Sequence, residues 1–322
     1  MRRLFGYYRQ FDELSPEEVS AELRARREAE RARELVATPP LDLSGAAWHG
    51  PPHPELVNAA TFALRRAVND YADAGPLRDA IAERHGIDPA RVVVGHGAGE
   101  LLRAALHAVA TPEVALVWPG WHALPALVSD VGARPVPVEH AAPGRATVLT
   151  RPSDPSGAVA DLEPGRDWLI VDEALADFLD DAPVLDHPRV IQVRSFSKGH
   201  AMAGFRVGYA IVGSGVELPL APVGGVSAAA VAGALWAIEH GGPGLARRRE
   251  QVTRERARLV DALGDRVTPG VGPYVWLRAS AADLAAAQIY VAPGTAWGSP
   301  DHVRVTLHDA AATDRLLAAL GA

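Results

Sequence analysis

Cysteine is absent from this 322-residue chain, and its absence excludes thiolate nucleophiles, cysteine-ligated zinc and disulfide staples. Chemistry has to rest on other side chains, and the composition suits a reducing compartment, so the cytoplasm is the expected location. Long apolar runs are also missing. Nothing approaches the roughly 20 residues that span a bilayer, and the Met1 to Gln10 segment leads into charged sequence where a secretion signal would have an apolar core. The formal net charge of −7 leaves no broad basic field for a nucleic acid. A small ligand is expected, with no nucleic-acid or membrane partner. The length allows one large domain or two moderate ones, each with a substantial core.

Lysine is almost absent too. Of the 32 lysines and arginines, 31 are arginine and Lys198 stands alone. Arginine replaces lysine for surface charge, but a guanidinium with a pKa above about 12 cannot act as a nucleophilic amine. A Schiff base needs lysine. The plain alternative is an arginine-biased composition that left one lysine by chance, so the surroundings of Lys198 have to decide.

The spacing predicts a helix over residues 12–36, opened by Ser15-Pro16-Glu17-Glu18 as a serine N-cap with proline and acids in the first turn. From Arg91 onward, β-rich runs alternate with helical or loop segments: Val92 to Val94, Val114 to Trp118, Pro135 to Glu139, Thr147 to Thr150, Trp168 to Glu173, Val190 to Ser195 and Val207 to Val212. Such alternation predicts an α/β fold with a largely parallel sheet between helices. A second arginine-rich helix, about Gly244 to Leu263, precedes strands near Tyr274 to Arg278, Ile289 to Val291 and Val303 to Leu307. A last helix covers Ala310 to Leu320. The expected organisation is an N-terminal arm over 1–40, a large domain over 41–243 and a smaller α+β domain over 244–322. The boundary falls in the Gly241-Gly242-Pro243-Gly244 stretch.

In open α/β sheets, ligands sit beyond the carboxyl ends of the strands. Trp168 to Val171 runs into Asp172-Glu173, and Val190 to Val193 runs into Arg194-Ser195-Phe196-Ser197-Lys198. A carboxylate and the lone lysine at two neighbouring strand ends can meet one small molecule. Pyridoxal phosphate asks for that pair: an amine to condense with its aldehyde, and an acid to keep the pyridine nitrogen protonated so that the ring withdraws electrons.

The segment Ser195-Phe196-Ser197-Lys198-Gly199-His200-Ala201-Met202-Ala203-Gly204-Phe205-Arg206-Val207-Gly208-Tyr209 resembles the lysine motif of the fold-type I aminotransferases. The similarity runs from about Leu41 to the C-terminus and is nearest to the histidinol-phosphate aminotransferase and threonine-phosphate decarboxylase branch. It implies a seven-stranded, mainly parallel sheet and a Lys198 aldimine with pyridoxal 5′-phosphate. Lys198 then takes the substrate Cα proton, Ser195, Ser197 and Arg206 hold the phosphate, and Asp172 meets the pyridine nitrogen. In Gly95-His96-Gly97-Ala98-Gly99-Glu100, the amides of Ala98 and Gly99 suit phosphate at a helix N-terminus. Trp121 falls where the family stacks an aromatic on the cofactor ring; the plain alternative is a core tryptophan. Tyr71 resembles a tyrosine that reaches a neighbouring subunit's phosphate, which implies a homodimer with shared active sites. Arg304, in His302-Val303-Arg304-Val305-Thr306, matches the arginine that clamps a substrate α-carboxylate; the alternative is a solvated arginine on an edge strand. No metal is implied.

The pattern breaks at three places. Asp154, in Asp154-Pro155-Ser156-Gly157, stands where the family has asparagine beside the cofactor O3′, and the chain's only asparagines, Asn58 and Asn69, lie far upstream. Leu175 takes the place of a tyrosine, and Ala292 that of an arginine which meets a substrate phosphate. An ionised Asp154 beside O3′ is repulsive unless it takes a proton. Trp48, His49 and Trp297 are candidate walls for the substrate, with Tyr7-Tyr8 as a strap, while Arg247-Arg248-Arg249 read as solvated charge. The implied reaction is amino transfer between an amino acid, or a related amine, and a 2-oxo acid. Alternatives are α-decarboxylation or lyase chemistry on the same cofactor, and a non-catalytic homologue.

Overall fold

The computed structural model describes residues 20, 21, 23–27, 39–141, 143–219 and 225–322. Contacts divide the chain into a unit ending at Leu41 and a unit from Asp42 to Ala322. In the first, the described residues 20, 21 and 23–27 are helical. The remainder of the helix expected over 12–36 and the Tyr7-Tyr8 strap lie outside the described residues. All that follows concerns the second unit.

After the two-residue strand β1 (Leu41–Asp42) come helices α1 (Pro54–Ala67) and α2 (Gly75–His85). Then β-branched runs and helices alternate: β2 (Val92–Gly95), α3 (Ala98–Val109), β3 (Glu113–Leu116), α4 (Leu124–Asp130), β4 (Arg134–Pro137), β5 (Ala146–Thr150), β6 (Trp168–Glu173), β7 (Val190–Ser195) and β8 (Gly208–Val212). These seven strands form one sheet in the order β2-β8-β7-β6-β5-β3-β4. The pairings from β7 through β6, β5 and β3 to β4 are parallel. Strand β8 runs antiparallel to both β7 and β2.

Successive side chains of a strand face opposite sides, and the sheet is covered on both. Ala210 and Val212 join Ile170, Ile191, Val193 and the α3 residues Leu101, Leu102 and Ala105 in one core. Tyr209 and Ile211 join Leu77 and Ile81 of α2 and Ala230 and Ala234 of α5 (Ala228–His240) in the other. This two-sided burial explains why β6 reads as a continuous apolar run from Trp168 to Val171, while β7 buries the polar Gln192 and Arg194 among its apolar residues. Truncating a buried residue such as Ile191, wholly shielded from solvent, to alanine costs about 2–5 kcal/mol.

Helix α6 (Gly242–Leu263) starts directly after α5, its N-cap Gly241 being the residue that also ends α5. A four-stranded antiparallel sheet follows, in the order β12-β13-β10-β9, from β9 (Val267–Thr268), β10 (Tyr274–Arg278), β12 (Ala292–Pro293) and β13 (His302–Thr306). Helix α7 (Ala281–Ala286), strand β11 (Ile289–Tyr290) and helix α8 (Ala310–Leu320) complete the chain. The expected strand Ile289 to Val291 is observed only over Ile289–Tyr290 as β11, with β12 starting after Val291, and β9 adds a pairing too short to show in periodicity. The arginines 247–249 are not simply solvated charge: Arg248 Nη1 donates to Gly199 O at 2.8 Å and Arg249 Nη2 to Leu179 O at 3.0 Å. Among the described residues, no helix is long and apolar enough to cross a membrane.

Candidate active site

The carboxyl ends of β5, β6 and β7 deliver Thr150, Asp172 and Ser195 to one cavity of about 380 Å³. The loop after β7 adds Ser197, Lys198 and Arg206, the first turn of α3 adds Ala98 and Gly99, and β10 and β13 add Tyr274 and Arg304. Trp121, His122 and Asp154 complete the polar and aromatic lining. Of the residues expected to hold the cofactor or the substrate carboxylate, Tyr71 lies elsewhere: it is 83% exposed, beyond the end of α1.

Asp172 ends the apolar run of β6 with its side chain buried, and it accepts a hydrogen bond from the Ala174 amide at 3.1 Å. Burial, aided by the nearby charges of Asp154 and Glu173, pushes its pKa up to about 7. A carboxylate so placed is stabilised by a cation brought into the cavity. Burial also lowers the pKa of Lys198, helped by the charges of Arg304 and Arg206 and opposed by Asp154 and Asp172. The single lysine is therefore shifted toward the neutral form that acts as a nucleophile.

At the other end, α3 opens at Ala98 with no side-chain cap, so its first-turn amides are aimed toward the cavity without a side-chain acceptor. Amides in that position are anion-binding groups. The N-cap Gly97 has φ of 86°, and a Cβ there would come within 2.7 Å of Arg206 Nη2, so only glycine lets the guanidinium lie against this turn. A Cβ on Gly208 would stand 2.7 Å from the Arg194 carbonyl oxygen and 3.2 Å from the Ala98 nitrogen, which explains the small residue after Arg206-Val207. Ser195 Oγ accepts from the Ser197 amide at 3.1 Å, which fixes the turn that presents Lys198. This uncapped turn, an exposed arginine and two serine hydroxyls match a phosphate, and Asp172 matches a protonated ring nitrogen. The residues present therefore fit pyridoxal phosphate.

Arg304 is where the structure departs most from expectation. Val303 and Val305 do alternate with it, but the arginine is not solvated: both faces of β13 are covered, and Arg304 is only 6% exposed. Its Nη1 donates to both carboxylate oxygens of Asp154, at 2.8 and 2.9 Å, and its Nη2 donates to Ser44 O at 2.8 Å. The guanidinium lies 4.4 Å from the Tyr274 ring centroid and 5.3 Å from that of Trp297. Burial raises the pKa of Asp154, while Arg304 pulls it back.

Trp297 packs behind the site, donating from Nε1 to Gly120 O at 2.9 Å. Trp48 and His49 do not line the cavity; Arg248 lies 5.5 Å from the Trp48 ring, and His49 stacks on His308 at 4.2 Å. Leu175 is buried in the lining, where it offers no hydroxyl. Ala292 pairs with Arg304 across β12 and β13 but stays outside the lining. Sequence reasoning missed Thr150, His122 and Tyr274. Thr150 Oγ1, which accepts from the Trp121 amide at 3.2 Å, was detectable as the polar end of an apolar strand. Tyr274 carried no local signal. A second cavity of about 210 Å³, lined by Glu173, Arg194, Asp177 and His200, shares Ser195 but contains no amine nucleophile.

Residues 42–320 match the family described as Aminotransferase class I and II. The histidinol-phosphate aminotransferase of Rubrobacter xylanophilus is 34% identical, with 84% of this chain and 88% of that one covered. The aromatic amino acid aminotransferase of Corynebacterium efficiens is 31% identical, with 84% and 89% covered. The solved histidinol-phosphate aminotransferase of Sinorhizobium meliloti, in complex with pyridoxal-5′-phosphate, superposes with a TM-score of 0.74 at 23% identity, covering 89% of this chain and 91% of that one. At that identity the likeness speaks for the fold.

Proposed function

Since the chain belongs to the aminotransferase class I and II family, we propose that it is a pyridoxal-phosphate enzyme that moves an amino group between an amino acid, or a related primary amine, and a 2-oxo acid. The observation that carries this reading is the meeting of Lys198, Asp172, Arg206 and the uncapped start of α3 in one cavity. Bound pyridoxal phosphate supplies an aldehyde carbon and an electron-withdrawing ring.

The protein's residues have separate tasks. Arg206, Ser195, Ser197 and the amides of Ala98 and Gly99 hold the phosphate, the guanidinium by planar, charge-assisted hydrogen bonds. Asp172 would hold a protonated ring nitrogen, whose positive charge would favour the ionised carboxylate. Trp121 would supply an aromatic wall for the ring, and Asp154, tied to Arg304, lines the same cavity. Lys198, shifted toward its neutral amine, is the residue that would hold the cofactor covalently, and with substrate bound its Nζ would accept the proton from the substrate α-carbon and return it. Arg304 forms the wall at the substrate end.

The proposed organisation keeps the cofactor on residues 41–243 and lets residues 244–322 present Arg304 and Tyr274 from the smaller sheet, after an N-terminal arm over 1–40. The proposed active unit is a cytoplasmic homodimer. Tyr71 supports it, being 83% exposed in a stretch that also leaves Val57, Phe62, Leu64 and Val68 uncovered. Sedimentation equilibrium at micromolar concentration checks the dimer. The decisive experiment is an absorbance titration with pyridoxal phosphate followed by a panel of amines, amino acids and 2-oxo acids. A lysine-dependent band that an amino donor converts to the pyridoxamine form, and a 2-oxo acid restores, supports amino transfer. A protein that develops no such band overturns the proposal.

A further inference from the structure

We infer that Asp154 determines substrate specificity: by occupying Arg304 it furnishes the substrate end of the cavity with a carboxylate of its own, so that the site favours amino donors, primary amines and amino alcohols, whose amine-bearing carbon carries no carboxylate, and takes the amino acid and 2-oxo acid of the proposed reaction more weakly. The inference rests on the cofactor reading of the same cavity and names its substrate class.

The charges lining the cavity can be paired off. Arg206 faces a phosphate, Asp172 a ring nitrogen, and Lys198 an aldehyde carbon. What remains is the Asp154–Arg304 pair, which is neutral as a whole and buried on both sides, with 8% and 7% of the two side chains accessible. An arginine that grips an incoming carboxylate needs a pair of adjacent donors and an unneutralised charge. Here Nη1 serves both Asp154 oxygens and Nη2 serves the Ser44 carbonyl. Nε has no protein partner, but it is itself buried. A substrate carboxylate arriving at this end either displaces Asp154, leaving that carboxylate buried and unpaired, or sits beside it as a second negative charge. Both are unfavourable in a water-poor cavity.

A substrate carbon bearing a hydrogen, alkyl or hydroxymethyl group meets neither penalty. The Asp154 oxygens retain lone pairs beyond those used by Nη1, so a hydroxyl can donate to them. Discrimination then comes from a repulsive element built against one class of ligand as well as from attraction toward the other. His122, Lys198, Asp172 and Tyr274 also lie within electrostatic reach of Asp154. Among these His122 and Lys198 are the groups able to attract a carboxylate, and Lys198 would be taken up by the cofactor.

The test compares matched ligands on the protein loaded with pyridoxal phosphate: leucinol against leucine and phenylalaninol against phenylalanine, followed by the lysine-linked absorbance. The inert pair 3-phenylpropanol and 3-phenylpropionate is measured by calorimetry. The natural protein is expected to bind each neutral-headed ligand at least tenfold more tightly than its carboxylate counterpart. Asp154→Asn, which keeps the size and one acceptor but removes the charge, is expected to bring a tenfold or greater gain in carboxylate binding relative to the alcohols. Equal or tighter carboxylate binding by the natural protein overturns the inference, as does a folded Asp154→Asn protein without that gain. If Asp154→Asn fails to fold, the comparison on the natural protein decides alone. Failure of the cofactor reading shows itself differently, as the absence of any lysine-linked band, and the inert pair still scores the inference because its binding involves no reaction.

Discussion

Glu173 accepts, on a single oxygen, a hydrogen bond from Arg194 Nε at 2.9 Å and another from Gln192 Nε2 at 3.0 Å, joining two adjacent parallel strands beside the second cavity. The Glu173 side chain is fully shielded and that of Arg194 is 7% exposed. Breaking such a pair leaves an uncompensated buried charge, so Glu173→Ala is expected to lose about 3–5 kcal/mol of stability. Urea unfolding checks it; a midpoint shift below that range at unchanged slope would mean that the network relaxes around the loss.

Lys198→Ala is expected to keep the fold and abolish lysine-linked cofactor absorbance. Lys198→Arg should do the same, since a guanidinium cannot condense with the aldehyde under these conditions. Far-ultraviolet dichroism and an absorbance scan separate the two properties. A reducible, covalently attached cofactor in either variant would place the linkage elsewhere.

Gly97→Ala is expected to weaken pyridoxal phosphate by at least tenfold, because the new methyl meets Arg206 Nη2 and the residue's φ of 86° disfavours any side chain. Pyridoxal without its phosphate should lose far less. Spectrophotometric titration with both forms locates the defect: equal losses would argue against a phosphate contact at this turn.

Asp172 gives the cofactor-free protein a pH dependence of definite sign. Its carboxyl loses its proton near 3.8 when unfolded but only near 7 when folded. The folded state therefore holds the extra proton between those values, and the stability this group contributes is complete below about pH 4 and falls as pH rises toward 7. Over that window the loss is on the order of 4 kcal/mol. Asp172→Asn should remove this component, and pyridoxal phosphate should stabilise the natural protein increasingly as pH rises through the same window. Thermal melts at a series of pH values with and without cofactor test both statements.

Much of the sheet is readable locally. Val190 to Ser195 and Trp168 to Glu173 are buried on both faces, and the expected strands match the observed ones end to end. The lysine segment is equally local: Lys198, Arg206 and the serines are held by turns that span a dozen residues. The antiparallel course of β8 is not, because its partners β2 and β7 are chosen by the whole topology and not by its own alternation. Nor is the ion pair of Arg304 with Asp154, whose members stand 150 residues apart. Read singly, one is a carboxylate clamp and the other a repulsive neighbour for O3′; side by side they neutralise each other. Arg248 and Arg249 teach the same lesson, since a helix's sequence does not say which carbonyls of another segment its guanidiniums will reach.

The solitary lysine has a practical corollary. Apart from the chain's terminal amine, the protein offers amine-directed reagents no side-chain target except one that is partly buried in a cavity. Biotinylation, glycation or coupling to an activated resin will therefore report on that cavity and hardly at all on the surface, and the extent of labelling becomes a count of vacant sites.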